Sequence, residues 1–405
     1  MKQRKQKATE FHAAEGWPIS RVSLEAKGKA VQALLANHTL IVGQSRSGKT
    51  NSARRIIEEI LAWTDARVVI LDPNADFKYL KQLSSDSDSK AGKPDPKFVA
   101  RWRQISKKID VAAPDGGAWG IDWGKLSLDE MAAFLRLKPS ETFAEYRHLD
   151  HHFKYQKQTG AWPVTLEEFS KSKYFDVAVG EDVERYRLRL QELSGLDVWA
   201  KDSNNDLDSL FERDLRSIIV DLSLDDDQAR TLTAARALEA LWGQGEERRK
   251  AFLRDETISW NGTVVVIDEG HLFAPPETTD PQKRLVSEKI QRFADQGKKL
   301  NLYLMVITQQ PRKLHPSVLS EFNNRIILRV NERRSLSALE ETYGGSRGRY
   351  DGALTFEPGE ALIEGALLRD ESPPASLPRG VRFKLARTRE GGGTPKADWA
   401  LPKAP

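Results

Sequence analysis

The chain has 405 residues, 30% charged and 39% hydrophobic, with a formal net charge of +4. It contains no cysteine, which excludes a disulfide framework and a thiolate metal site. No run approaches the roughly 20 apolar residues that cross a bilayer, and the basic stretch Met1–Lys7 has no apolar segment behind it, so the chain reads as globular and cytoplasmic, with neither membrane anchor nor secretory leader.

Residues 1–37 form an N-terminal extension too short for a substantial extra domain. A β-rich strand, Thr39 to Val42, then runs into Gly43-Gln44-Ser45-Arg46-Ser47-Gly48-Lys49-Thr50, which fits G-x-x-x-x-G-K-[ST]. Gly43 and Gly48 let the backbone fold so that N–H groups from Gln44 to Asn51 surround one anion. Lys49 reaches the β- and γ-phosphates, and Thr50 offers a hydroxyl to Mg²⁺. Ala53, Ile56, Ile57, Ile60 and Leu61 recur at helical spacing up to Trp63, so a helix N-terminus adds its partial positive charge there.

A second strand, Ala66 to Leu71, ends in Asp72-Pro73-Asn74-Ala75-Asp76-Phe77. In doubly wound sheets ligands bind at that edge, which assigns Asp72 to the nucleotide site. Residues 84–97 read as a surface loop, and Ile109 to Ala112 as a strand. Residues 127–200 turn helical and polar, as an insertion. Its His148, Asp150, His151 and His152 invite a metal reading, but without a third strong ligand site they read as a polar helix face. Core strands resume at Ser217 to Leu222, Thr263 to Ile267, Leu302 to Thr308 and Arg325 to Val330. A long helix bearing Leu232, Ala235, Leu238 and Leu241 follows the first of these, and 361–363 and 381–385 suit edge strands. The division is a core in two parts, 38–126 and 201–385, interrupted by 127–200 and followed by an extended tail, 386–405. The pattern predicts an α/β fold with a mainly parallel sheet.

The strand from Thr263 ends in two carboxylates, Asp268 and Glu269. Asp268 suits Mg²⁺ binding and Glu269 suits polarising an attacking water, chemistry that needs positioning and charge stabilisation but no covalent intermediate. Gln309, at the end of the strand from Leu302, suits sensing the γ-phosphate from a strand placed between the two phosphate strands. The basic residues Lys78, Lys81, Arg312 and Lys313 follow two of these strands and suit salt-sensitive contacts to DNA phosphates.

In order, the P-loop, Val-Ile-Leu-Asp-Pro-Asn-Ala-Asp-Phe, Ile-Ile-Val-Asp-Leu-Ser, Val-Ile-Asp-Glu-Gly-His-Leu-Phe-Ala-Pro, Ile-Thr-Gln-Gln-Pro and Asn-Asn-Arg-Ile-Ile-Leu-Arg resemble the HerA branch of the FtsK/HerA superfamily of ATP-driven DNA pumps. The resemblance implies a RecA-like P-loop NTPase core, ATP and Mg²⁺ as cofactors, a homo-hexameric ring, hydrolysis between subunits, and double-stranded DNA in the pore. It implies roles for Lys49, Thr50, Asp268, Glu269 and Gln309 at matching positions. The family's Arg-Glu-Gly-Arg-Lys is Asp295-Gln296-Gly297-Lys298-Lys299 here, so Lys298 or Arg292 is the candidate for the cation supplied to a neighbour's site. Ala75 and Asp76 replace the Gly-Glu of the family's Asp-Pro-x-Gly-Glu turn, and 37 residues leave no room for the N-terminal β-barrel that helps dock nucleases. These departures support an alternative: a nucleotide-gated hexameric scaffold that activates an effector, a nuclease or sirtuin-like enzyme, in antiphage defence.

Overall fold

The computed structural model describes residues 35–84, 96–112, 119–137, 146, 149–150, 153–154, 181–200, 206–223, 226–258, 260–365 and 378–392. In them one sheet is built from β1 (Thr39–Val42), β2 (Arg67–Asp72), β3 (Ile109–Ala112), β4 (Ser217–Asp221), β5 (Thr263–Ile267), β6 (Leu302–Thr308), β7 (Asn324–Ile327), β8 (Glu360–Gly365) and β9 (Arg379–Arg382). The order across the sheet is β3-β4-β2-β5-β6-β1-β7-β8-β9. Every pairing from β3 to β7 is parallel, and β8 and β9 add antiparallel strands at one edge. β1, β2, β4 and β5 are buried at every position. Continuous Val/Ile/Leu runs form such strands when both faces of a parallel sheet are covered. β6 lies between β1 and β5, so Gln309 just past its end is set between the strand that leads into the P-loop and the strand that leads into Asp268-Glu269.

Two apolar layers cover the sheet. On one face α1 (Lys49–Trp63) buries Ile56, Ile57, Ile60 and Leu61, and α2 (Pro96–Ile105) adds Phe98 and Trp102. On the other, α3 (Leu128–Phe134), α4 (Glu181–Ser194), α5 (Leu207–Glu212), α6 (Asp227–Arg254) and α7 (Pro281–Gln296) share one core. The described parts of 127–200 therefore belong to that core. α3 opens with a capping box between Ser127 and Glu130, and the buried Glu130 lies 3.5 Å from Arg236 on α6 and 3.1 Å from Lys289 on α7. His148, His151 and His152 lie outside the described residues; Asp150 pairs with Lys154 at 2.6 Å.

The second face of α1 is unusual for an amphipathic helix, because Arg54, Arg55, Glu58 and Glu59 are also buried. The segment after β9 covers them. Glu58 accepts from the Arg387 N–H (2.8 Å), the Thr388 N–H (2.8 Å) and the Thr388 hydroxyl (2.8 Å). Arg387 pairs with Glu59 at 2.9 Å and stacks on Phe98. The described part of the tail, 386–392, is thus extended yet built into the core.

His38 pins the entry to β1. Its Nδ1 accepts the Leu304 N–H at 2.9 Å, which leaves Nε2 to donate to the Ala294 carbonyl at 2.9 Å. Burial, reinforced by nearby Lys298, lowers its pKa from 6.5 to about 4. The folded state therefore binds fewer protons than the unfolded chain between those values, and stability is lost as pH falls through that window, by up to about 3 kcal/mol. In urea unfolding at neutral pH and at about pH 5, the His38→Asn variant should lose less stability on acidification than the unmodified chain. Identical losses would refute a neutral, buried His38.

Candidate active site

The P-loop backbone is fixed by its neighbours before any side chain acts. The Gly43 N–H donates to the Thr308 carbonyl (3.2 Å), and the Gln44 N–H to the Arg329 carbonyl (2.9 Å). Arg46 has φ 62° and Gly48 φ 91°. The left-handed turn at Gly48 suits glycine, and a Cβ there would stand 2.9 Å from the backbone nitrogen of Gly359. Gly48 caps the N-terminus of α1, so the N–H groups at the start of α1 face the cleft.

The chemistry converges on Glu269. It sits just past β5 in the left-handed region (φ 46°), a turn that breaks the strand alternation. Oε1 accepts from Lys49 Nζ at 2.7 Å and from Gln309 Nε2 at 2.6 Å, and Oε2 lies 3.4 Å from the Gln309 backbone N–H. Lys49 and Glu269 are both buried, so the pair is shielded from water. His271 Nδ1 approaches Thr308 Oγ1 at 3.1 Å and Glu269 Oε2 at 3.4 Å, and burial lowers its pKa.

A second acidic group stands beside the first. Asp72 is fully buried and its carboxylate is committed to the turn it begins: Oδ1 accepts from the N–H groups of Asn74 (3.3 Å) and Asp76 (3.0 Å), and Oδ2 from Phe77 (2.8 Å). Burial pushes Asp72 up to about 8 against the pull of these bonds. The turn aims Asp76 at the P-loop, where Thr50 Oγ1 donates to its carboxylate at 3.0 Å. Asp76, and not Asp72, lines the cleft. Asn74 donates to Asp268 Oδ2 at 3.3 Å, while Asp268 Oδ1 is buried with no hydrogen-bond partner. Burial raises Asp268 to about 7. Thr50, Asp76 and Asp268 thus form an oxygen donor set with one orphaned carboxylate oxygen, which fits Mg²⁺.

The cleft has a volume near 630 Å³ and is bordered by Gln44, Ser45, Arg46, Gly48, Lys49, Thr50, Asn51, Glu269 and Gln309. Ser45 Oγ lies 3.3 Å from Gln309 Oε1, and Ser47 is buried beneath the loop. Asn51 directs its amide away from the loop, donating to the Lys384 carbonyl (3.2 Å) and accepting the Ala386 N–H (2.7 Å). Lys78, Lys81, Arg312 and Lys313 follow β2 and β6 at the same edge of the sheet as the P-loop; Lys78 is 3.6 Å from Asp221. Arg292 and Lys298 precede β6, at the far edge. Arg292 bonds Glu239 at 2.7 Å and stacks on Trp242. Sequence reasoning missed Asn74, Pro358, Leu385, Glu390 and Gly392. The sequence signal for Glu390 and Gly392 is that they open Glu-Gly-Gly-Gly-Thr-Pro-Lys-Ala-Asp-Trp, a stretch that looks like the family's C-terminal segment.

Asp72→Asn should keep an oxygen for the Asn74 and Asp76 N–H groups but turn its amide donor on the Phe77 N–H, and cost about 1–3 kcal/mol. Thermal unfolding should register the loss, and amide exchange should rise selectively at 74–77. Unchanged exchange there would show that Asp72 does not hold the turn.

The chain resembles known proteins in both sequence and fold. The family model for the central domain of helicase HerA matches residues 16–240. A DNA double-strand break repair helicase HerA from Pyrococcus furiosus is 34% identical over 131 residues, which are 32% of this chain and 22% of the relative. Another from Sulfolobus acidocaldarius is 23% identical over 262 residues, 60% of this chain and 51% of the relative. The chain therefore spans between a fifth and about half of these curated relatives. Among solved structures, plasmid coupling protein TrwB in complex with a non-hydrolysable GTP analogue aligns with a TM-score of 0.59 at 12% identity, covering 97% of this chain and 92% of TrwB. VirB4 of Thermoanaerobacter pseudethanolicus aligns with a TM-score of 0.57 at 16% identity, covering 85% and 88%. The fold is that of a RecA-like P-loop NTPase, and with more than half its length matched, the chain belongs to the HerA helicase central-domain family.

Proposed function

We propose that the chain is a Mg²⁺-dependent ATPase that drives movement on double-stranded DNA. The observation that carries the proposal is the three-way contact of Glu269 with Lys49 and Gln309. Lys49 is the residue that neutralises phosphate charge, and here it is held by the carboxylate suited to activating water. Bound β- and γ-phosphates compete for Lys49. Its departure frees Glu269 to orient a water for in-line attack and to take its proton. Gln309, bonded to the same oxygen, reports whether the γ-phosphate is present. Mg²⁺, held by Thr50 and Asp268 with Asp76 close by, neutralises phosphate charge when bound.

Family membership and the relatives' helicase names support DNA as the track. Lys78, Lys81, Arg312 and Lys313 at the P-loop edge suit sequence-independent phosphate contacts. Arg292 and Lys298 are separated from their own P-loop by the seven residues of β6, about 23 Å of strand, so either can serve only a neighbour's site. This supports a ring, with six subunits as the family suggests. One observation favours a second reading. Arg292 is engaged by Glu239 and Trp242 within its own subunit, and the alternative at this edge is a lysine rather than an arginine. A nucleotide-gated ring that activates an effector such as a nuclease would need only slow turnover.

The deciding experiment is ATP hydrolysis with and without long duplex DNA. Glu269→Gln should lower kcat at least about 100-fold while retaining nucleotide binding. Stimulation by DNA, absent in the variant, is expected of the motor. Turnover indifferent to DNA would overturn the motor and leave the gated scaffold.

A further inference from the structure

The cleft above the P-loop is lined by polar and charged groups, among them Lys49, Thr50, Glu269 and Gln309. Pro358 and Leu385 reach the same cleft from separate segments, and Leu385 leaves 44% of its surface exposed. Both offer apolar surface to a cleft whose other walls are mostly polar.

The backbone around both residues is fixed to the P-loop and its helix. The Gly359 N–H donates to the Ser47 carbonyl at 2.8 Å, which holds Pro358 against the loop. The Asn51 amide grips Lys384 and Ala386 on either side of Leu385, and Arg55 donates to the Leu385 carbonyl at 3.3 Å. Leu385 is therefore anchored along the first two turns of α1 with its side chain lining the cleft. A nucleoside attached to phosphates at Gly48, Lys49 and Thr50 would share this cleft with both anchored segments.

We infer that Leu385 and Pro358 are the two jaws that hold the flat base of the bound nucleotide, so the segment after β9 is part of the substrate site. The inference rests on the nucleotide reading above. Aliphatic side chains pack on the faces of an aromatic base and gain by removing apolar surface from water. Leu385 is the specificity-determining member: it favours a nucleoside triphosphate over a bare polyphosphate.

The test is titration calorimetry on the full chain with two probes, Mg-ATP and base-free Mg-tripolyphosphate. Leu385→Ser should weaken ATP binding about tenfold and leave tripolyphosphate within about twofold. Leu385→Met should restore ATP binding. Equal losses for both probes, or ATP binding untouched by Leu385→Ser, would overturn the jaws. So would an unmodified chain that binds tripolyphosphate as tightly as ATP, though its phosphate site would stand. A chain that binds neither probe would overturn the nucleotide reading along with the jaws.

Discussion

The structure turns on one buried charge. Lys49 is 6% exposed and Glu269 is 5% exposed, and each is tolerated because the other is there. An unpaired ammonium or carboxylate at such depth costs several kcal/mol. The pairing joins the P-loop helix to the end of β5 and, through Gln309, to the end of β6. Three strands that lie side by side thus meet at one carboxylate. A polyanion entering the cleft offers Lys49 a second partner, and the exchange alters what Glu269 is free to bond. In the proposed function, sensing and chemistry would share this single ion pair.

The parts of the site that were legible in the sequence are those encoded locally. The P-loop requires glycines and a lysine at fixed spacing, and the pair Asp268-Glu269 follows a run of four apolar residues. Both can be read without knowing what packs around them. Asp72 and Asp76 show where that stops. They are four residues apart at the same strand end, and only the hydrogen bonds of the turn reveal that Asp72 holds the backbone while Asp76 reaches Thr50. The same holds for α1. Its apolar spacing predicted one buried face, but burial of Glu58 and Glu59 depends on donors more than 300 residues away. The position of β6 between β1 and β5 was anticipated because Gln309 needed to stand between two phosphate strands. The shared core of the described parts of 127–200 was not, because Glu130 draws in Arg236 and Lys289 only once three helices are stacked.

The sheet separates two kinds of chemistry by strand direction. Parallel strands deliver Lys49, Asp268, Glu269 and Gln309 to one edge, and they leave Arg292, Lys298 and His38 at the other. His38 binds the backbone of both β6 and α7, so the register of the far edge is tied to the strand that carries the P-loop.

The segment after β9 closes over α1 through contacts that span 329 and 330 residues of sequence. Such separations make the loop-closure entropy large and the contacts late. During synthesis α1 is complete long before its partners leave the ribosome, and Glu58 spends that interval in water with no amide to accept. The nascent P-loop helix is therefore a half-covered surface while the chain to Arg387, 329 positions on from Glu58, is made. That face of the helix is completed only once the segment after β9 has been made and has docked.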